Sequence, residues 1–227
     1  MREILLIAKK DLAIELRTRE SLVLVFILSL VLAFIMRSMF SDRLELMANN
    51  SHYLAGMMWA CFVFTALLFS SRSFLKEQEE GCLSALLLYP VEGGVIYLGK
   101  LLSTLVLMLM TLVFTLLLFM LFFEPDMGQL AEALPFFLVG SFSFTVLATF
   151  ISALSLRSGE GQGIVFIILM VPLILYTVLV PSVQATAEIF KGEGLSSVLS
   201  ELTLVSVFGI AFFMLSYLFF DEAVRAL

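Results

Sequence analysis

The chain has 227 residues, of which 61% are hydrophobic and only 14% are charged. Soluble globular domains are nearer half apolar and a quarter charged, so a soluble core of this length could not bury so much apolar surface. The net charge of −6 says little about partners, but the sequence has no basic block that would indicate a nucleic-acid partner. Composition therefore predicts an integral membrane protein.

The first predicted element, residues 2–20, is an amphipathic helix that lies along the inner leaflet of the membrane. Its charged residues are mostly on the side opposite an apolar stripe, as in interfacial helices. The pattern is imperfect, because Glu15 falls inside this stripe. The stripe consists of Ile4, Leu5, Ala8, Leu12 and Leu16.

Six later stretches are long and apolar enough to cross a bilayer, which takes ~20 residues at ~1.5 Å per residue. They are residues 22–40, 53–71, 98–123, 134–156, 164–183 and 202–220. Spanning segments are helices or closed barrels, and barrel strands alternate apolar and polar residues. Runs such as Leu116–Leu121 do not alternate. We therefore predict an all-α polytopic protein with six transmembrane helices in one permease domain, residues 1–227.

The basic residues predict the orientation. With both termini in the cytoplasm, ten Lys and Arg residues lie on the inner side and three on the outer side. Positively charged residues are enriched on the cytoplasmic side of membrane proteins. We expect a multi-pass protein of the inner, or plasma, membrane with both termini cytoplasmic.

Several motifs of energy coupling and catalysis are missing from the sequence. No Asp, Glu, Lys or Arg lies centrally in any predicted span, whereas ion-coupled pumps place such groups near the midplane. Scattered serines and a single histidine give no nucleophile and base set, so we expect no enzyme activity in this chain. His52 is a candidate metal or heme ligand, but a lone interfacial histidine is more often structural. We therefore predict no catalytic residue, no metal site and no cofactor on the chain itself.

A partial phosphate-loop motif begins at Gly94. The stretch Gly94-Val-Ile-Tyr-Leu-Gly99-Lys100 fits the first seven positions of G-x-x-x-x-G-K-[ST], but Leu101 replaces the hydroxyl that would bind Mg²⁺. It also continues into a predicted span rather than joining a strand to a soluble helix. We interpret Lys100 instead as an anchor whose ammonium extends to the membrane surface.

The longest polar stretch on the inner side joins spans two and three. It begins with a charged turn at Arg72, Gly81 can break a helix, and an apolar run from Cys82 to Tyr89 is stopped by Pro90. A short helix with an acidic lead-in suits docking into a groove on a soluble partner. A solvated loop whose apolar half lies on the bilayer is the equally weighted alternative.

This stretch resembles the cytochrome c maturation protein B family, also called heme exporter protein B. The resemblance extends over the whole chain, and its most specific part is the motif around residues 72–100. The motif residues are Arg72, Phe74, Glu77, Glu80, Gly81, Leu86, Leu88, Pro90, Tyr97, Gly99 and Lys100.

The resemblance implies a permease subunit of an ATP-binding-cassette complex. Its implied partners are a cytoplasmic ATPase subunit, which binds ATP, and a membrane protein that presents heme to a periplasmic chaperone. A homodimer within the complex is expected. ATP hydrolysis would drive heme delivery or release of the heme-loaded chaperone.

A coupling helix between spans two and three would transmit the ATPase's movement to the permease. Glu77, Glu79 and Glu80 would make charged contacts at the rim of the partner's groove, and Gly81 would set the angle between the two halves. The apolar residues Leu83, Leu86 and Leu87 lie within one helical turn and would fill the groove.

Spans four and five carry two further patterns. Ser141, Thr145, Thr149 and Ala153 recur every four residues and permit close helix packing, either within the monomer or between subunits. In span five, Pro172 and Pro181 remove backbone donors and predict a kink or an end of the helix, either static or serving movement.

Two other functions are consistent with the sequence. One is an ABC-2 type permease that exports a lipid, a drug or a polysaccharide. The other, from a different class, is a membrane scaffold without a transport role.

Overall fold

The computed structural model describes residues 2–39, 51–79, 93–155, 172–173 and 175–225. These residues are almost entirely helical and contain no strand, so the all-α prediction is confirmed for them. The elements are α1 Arg2–Thr18, α2 Glu20–Met39, α3 Ser51–Glu79, α4 Gly93–Phe123, α5 Met127–Ser155, a π-helical turn Leu175–Leu179, α6 Val180–Phe190, a 3-10 turn Leu195–Val198 and α7 Leu199–Arg225.

Five stretches within the described residues are long and apolar enough to cross a membrane. They are Leu22–Met39, Ser51–Leu68, Gly93–Phe123, Met127–Thr149 and Leu195–Leu218. They correspond to predicted spans one, two, three, four and six. Nine of the twenty residues of the predicted stretch 164–183 lie outside the described residues, so the six-span count stays a prediction.

The prediction of a charged turn at Arg72 is wrong. Helix α3 continues past the apolar stretch and ends only at Glu79. The residues from Arg72 to Glu79 include strong helix formers (Arg, Leu, Lys, Glu and Gln) and neither Gly nor Pro. Leaving the hydrocarbon layer removes no backbone hydrogen bond from a helix, so α3 extends roughly 12 Å beyond Ser71 at ~1.5 Å per residue.

Residues Arg2–Thr18 form helix α1, and only part of the predicted stripe is buried. Leu5 and Leu16 are exposed, whereas Ala8 and Glu15 are buried. The buried side faces the rest of the protein, because α1 packs mainly against α4 and not only against lipid. Arg19, at φ 57°, then turns the chain from α1 into α2.

The core lies where α3, α5 and α6 meet. Trp59 is fully buried in its middle, and its ring stacks on that of Phe137 with centroids 4.8 Å apart. Its edge meets Phe62 at 5.9 Å. The same core extends to α2, which packs against α3 and α4, and to α7, which packs against α5 and α4.

Pro181 lies at the start of α6 and ends the π-helical turn before it. Proline cannot donate a backbone hydrogen bond, and a π turn is one way in which a helix accommodates the missing donor. The predicted irregularity at Pro181 is therefore present. Beyond the predicted end of span five, α6 remains helical to Phe190.

Candidate functional site

The predicted coupling segment falls only partly on described residues. Glu77 and Glu79 lie in the last turns of α3, and Arg72 and Phe74 lie earlier in the same extension, but their side chains are outside the description. Glu80, Gly81, Leu83, Leu86, Leu87 and Pro90 lie outside the described residues altogether. The described site therefore consists of the two helical ends that hold this segment, the end of α3 and the start of α4.

The start of α4 is packed against α1 at Gly99. A Cβ atom added to Gly99 would lie 2.8 Å from the side chain of Ile7 and 3.3 Å from the carbonyl oxygen of Ile4. Only a glycine permits so close an approach of the α1 backbone and side chains. The family-motif residue Gly99 is thus the point at which α1 and α4 cross.

On its other side, the start of α4 is packed against α7. A Cβ atom at Gly94 would lie 2.8 Å from the ring of Tyr217. The side chain of Tyr97 is fully buried, with its ring centroid 6.3 Å from that of Phe213. Its hydroxyl faces Ser216, whose Oγ donates a 2.6 Å hydrogen bond to the carbonyl of Phe212.

Lys100 is buried, with 7% of its surface exposed, so its interpretation as an anchor extending to the membrane surface is wrong. Glu15 on α1, the helix that packs against α4, is equally buried at 6%. Charged groups are costly to bury because they lose hydration, and they are retained where the surrounding protein replaces it. The motif residues Tyr97, Gly99 and Lys100 therefore face the protein interior, and they join α4 to its neighbours.

The partial phosphate-loop motif is not a loop. Gly94, Gly99 and Lys100 all lie within α4, which begins at Gly93. In a phosphate loop, backbone N–H groups point at the phosphates, whereas beyond the first turn of a helix they bond carbonyls of the preceding turn. The glycines of this motif serve close helix packing instead.

The small residues of span four pack within the monomer. Ser141, Thr145 and Thr149 are fully buried, and each donates its hydroxyl to the carbonyl four residues earlier in α5. The hydroxyl of Ser143 donates to the carbonyl of Val205 at 3.2 Å and thereby joins α5 to α7. Of the predicted set, only Ala153 has a side chain outside the description.

His52 is the second residue of α3, at the end of the helix opposite Glu79, and its side chain is exposed. The hydrogen bond from Lys191 to Glu188, 3.0 Å long, lowers the pKa of that carboxyl, and the nearby His52 contributes a smaller lowering effect. Within the part of the chain that the structure describes, no group of His, Cys, Asp and Glu residues could hold a metal ion.

Two structural centres were not predicted from the sequence. The first is the contact of Trp59 with Thr186 and Gly140, and the second is the packing of Tyr97 against α7. Both join residues that are far apart in the chain. The sequence features that could have indicated these contacts are the single tryptophan and the glycines within otherwise apolar helices.

A scan against protein-family models matches residues 2–226 to the family described as CcmB protein. The match covers essentially the whole chain, so the chain belongs to the CcmB family, and the predicted resemblance is confirmed. This family implies a heme exporter permease component for cytochrome c maturation, a multi-pass protein of the inner membrane that works in a complex with partner subunits. No curated protein matches the chain.

Proposed function

We propose that this chain is the transmembrane permease subunit of an ATP-binding-cassette complex for cytochrome c maturation. A separate cytoplasmic ATPase subunit binds and hydrolyses ATP, and a second membrane subunit handles heme. The permease transmits the ATPase's movement to heme delivery or to release of the heme-loaded periplasmic chaperone. The chain itself carries neither a catalytic site nor a bound cofactor.

The observation that carries this proposal is the structure of the two helices that flank residues 80–92. On one side, these residues follow the extension of α3 from Arg72 to Glu79, which is a continuous and therefore rigid helix. On the other side, they enter α4 at Gly93, directly before the contacts of Gly94, Tyr97 and Gly99. A displacement at the end of α3 or at the start of α4 would therefore reach the membrane helices.

The packed unit of α1, α4 and α7 supports the direction of this coupling. Because Gly99 is fitted against α1 and Gly94 against α7, the start of α4 cannot shift alone. Movement imposed on the segment 80–92 would displace these three helices relative to α3. The positive-inside pattern predicts that this end of the bundle lies in the cytoplasm, where the ATPase would dock.

The test is a pull-down of the ATPase subunit with membrane-extracted variants. Leu83→Asp with Leu87→Asp should weaken ATPase association and stop cytochrome c maturation without preventing membrane insertion, because neither residue lies in a span. Glu79→Lys alone should have a smaller effect, since an exposed ion pair contributes only ~0–1 kcal/mol.

The matched control introduces the same two charges at the opposite end of the bundle. Met127→Asp with Leu199→Asp changes two exposed apolar residues near the starts of the candidate spans Met127–Thr149 and Leu195–Leu218. Membrane insertion of this control is measured as well, and the ATPase should remain bound. Full ATPase retention by the Leu83 and Leu87 double variant would place the coupling surface elsewhere. If no ATPase co-purifies with the unaltered chain, the scaffold function gains support instead.

A further inference from the structure

Two contacts place helix α1 along the membrane surface. At its C-terminal end, Thr18 is followed four residues later by the candidate span Leu22–Met39. Nearer its start, Ile7 packs against Gly99, which is about 9 Å from the beginning of α4 at ~1.5 Å per residue. With 31 residues, α4 is about 46 Å long and exceeds a ~30 Å hydrocarbon layer by about 8 Å at each end, if the excess is shared equally. The crossing at Gly99 therefore lies near the edge of that layer.

The exposed face of α1 combines apolar and basic side chains. Leu5 and Leu16 are 61% and 40% exposed, and at ~3.6 residues per turn they point within about 20° of each other. Lys9 and Arg2, both exposed, follow at about 40° and 60° from Leu5 around the helix. A helix with this pattern can insert its leucines into the acyl layer while its ammonium and guanidinium groups extend to the headgroups.

The acidic side chains of α1 lie away from these cations. Glu15 is buried, and the partly buried carboxylate of Asp11 lies 3.4 Å from the ammonium of Lys10, whose charge it offsets. Glu3 is exposed, but it points about 120° away from Lys9 around the helix. This side of α1 is therefore locally basic, although the whole chain carries a net charge of −6. Charge complementarity favours an anionic partner here.

We propose that the side of α1 formed by Arg2, Leu5, Lys9 and Leu16, called here the Lys9 edge, binds the headgroups of anionic phospholipids. A zwitterionic headgroup carries its own cation and gains less from the two basic side chains. Each Lys or Arg near an anionic membrane surface strengthens binding by roughly fivefold. Because α1 is packed against α4, the bound lipid would also hold the start of α4 in place. The inference does not depend on the proposed function, since the lipid would bind the permease alone.

The test is titration of the purified full chain in detergent with phosphatidylglycerol and, separately, with phosphatidylcholine, followed by native mass spectrometry. Arg2→Gln with Lys9→Gln should lower the affinity for phosphatidylglycerol roughly 25-fold, about fivefold for each cation, and leave the affinity for phosphatidylcholine unchanged. The matched control, Lys10→Gln with Lys191→Gln, removes two cations that already pair with neighbouring carboxylates. Its affinity for phosphatidylglycerol should stay close to that of the unaltered chain.

Lys9→Arg is a second variant, which keeps the charge and should retain the affinity for phosphatidylglycerol. All the altered side chains of α1 are exposed, so each variant should keep the melting temperature of the unaltered chain in phosphatidylcholine. Equal affinities of the unaltered chain for the two lipids, or equal losses in the test and control variants, would overturn the proposal. Loss of a co-purifying subunit by the Arg2 and Lys9 double variant, at unchanged lipid affinity, would assign the Lys9 edge to a protein partner and overturn it as well.

Discussion

The indole Nε1 of Trp59 donates a 2.9 Å hydrogen bond to Thr186 Oγ1, across 127 positions of the chain. Thr186 in turn donates to the carbonyl of Ser182 at 2.7 Å. Both side chains are fully buried, so this bond fastens α3 to α6 within the core. It stabilises the part of span five that follows the π-helical turn.

Thr186→Val should destabilise the protein by about 1–3 kcal/mol, because the shape is retained but the buried indole N–H loses its acceptor. Measured interhelical hydrogen bonds in membranes average only ~0.6 kcal/mol, so a loss at or below the lower end of this range is expected. The measurement is thermal unfolding in detergent. Thr203→Val is the control, since that exposed hydroxyl bonds only within its own helix. An unchanged Tm for Thr186→Val would show that the bond contributes no stability.

Gly140→Ala should destabilise the protein through overpacking. The added Cβ would lie 2.5 Å from the end of the Trp59 ring, which is buried and cannot move aside. Overpacked cores lose ~1–3 kcal/mol. Gly56→Ala in α3 is the matched control, because nothing lies within 4 Å of its Cβ position and alanine favours a helix by up to ~1 kcal/mol. Equal melting temperatures for the two variants would contradict the packing described for Trp59.

Both termini should be cytoplasmic. Reporter fusions after Leu227 and within Pro125–Ala133 should report opposite sides of the membrane, because ten of thirteen basic residues would then lie inside. The insertion is best placed before Asp126, whose Oδ1 accepts a 2.9 Å hydrogen bond from Gly128 and caps α5. A periplasmic C-terminus would contradict the six-span arrangement.

The isolated chain should neither bind nor hydrolyse ATP. Leu101→Ser completes the phosphate-loop consensus, yet binding of a fluorescent ATP analogue should stay absent because the segment is helical from Gly93 onward. Saturable binding by the unaltered chain, lost on Lys100→Ala, would overturn this prediction. The Lys100→Ala variant must then keep the melting temperature of the unaltered chain, because Lys100 is buried and its replacement can also destabilise the fold.

Glu188 should give a small pH dependence of stability. The hydrogen bond from Lys191 lowers the pKa of Glu188 in the folded state. A lowered folded pKa contributes stability above the unfolded pKa, and this contribution is lost as the pH falls through the folded pKa. Lys191→Met should therefore lower the Tm slightly at pH 7 and not at strongly acidic pH. A constant difference across this range would exclude the ion pair as the cause.

Length, hydrophobicity and the motif at residues 72–100 determined the membrane class, the helical fold and the family. These are local properties, because each spanning helix must satisfy its own backbone within the bilayer. The CcmB family is confirmed, and so is the all-α fold for the described residues. Three of the five candidate spans begin within five residues of their predicted starts, whereas Met127–Thr149 and Leu195–Leu218 each begin seven residues earlier.

Only the tertiary structure decided how the helices contact one another. Periodicity grouped Leu5, Ala8 and Leu16 in one stripe along the membrane surface, whereas the structure buries only Ala8 of these three and fits Ile7 against Gly99. In a chain whose surface and core are both apolar, hydrophobicity does not distinguish lipid from a neighbouring helix. Close packing distinguishes a lipid-facing surface from a helix contact. It depends on which small residue contacts which large residue, and the two can be far apart in the chain.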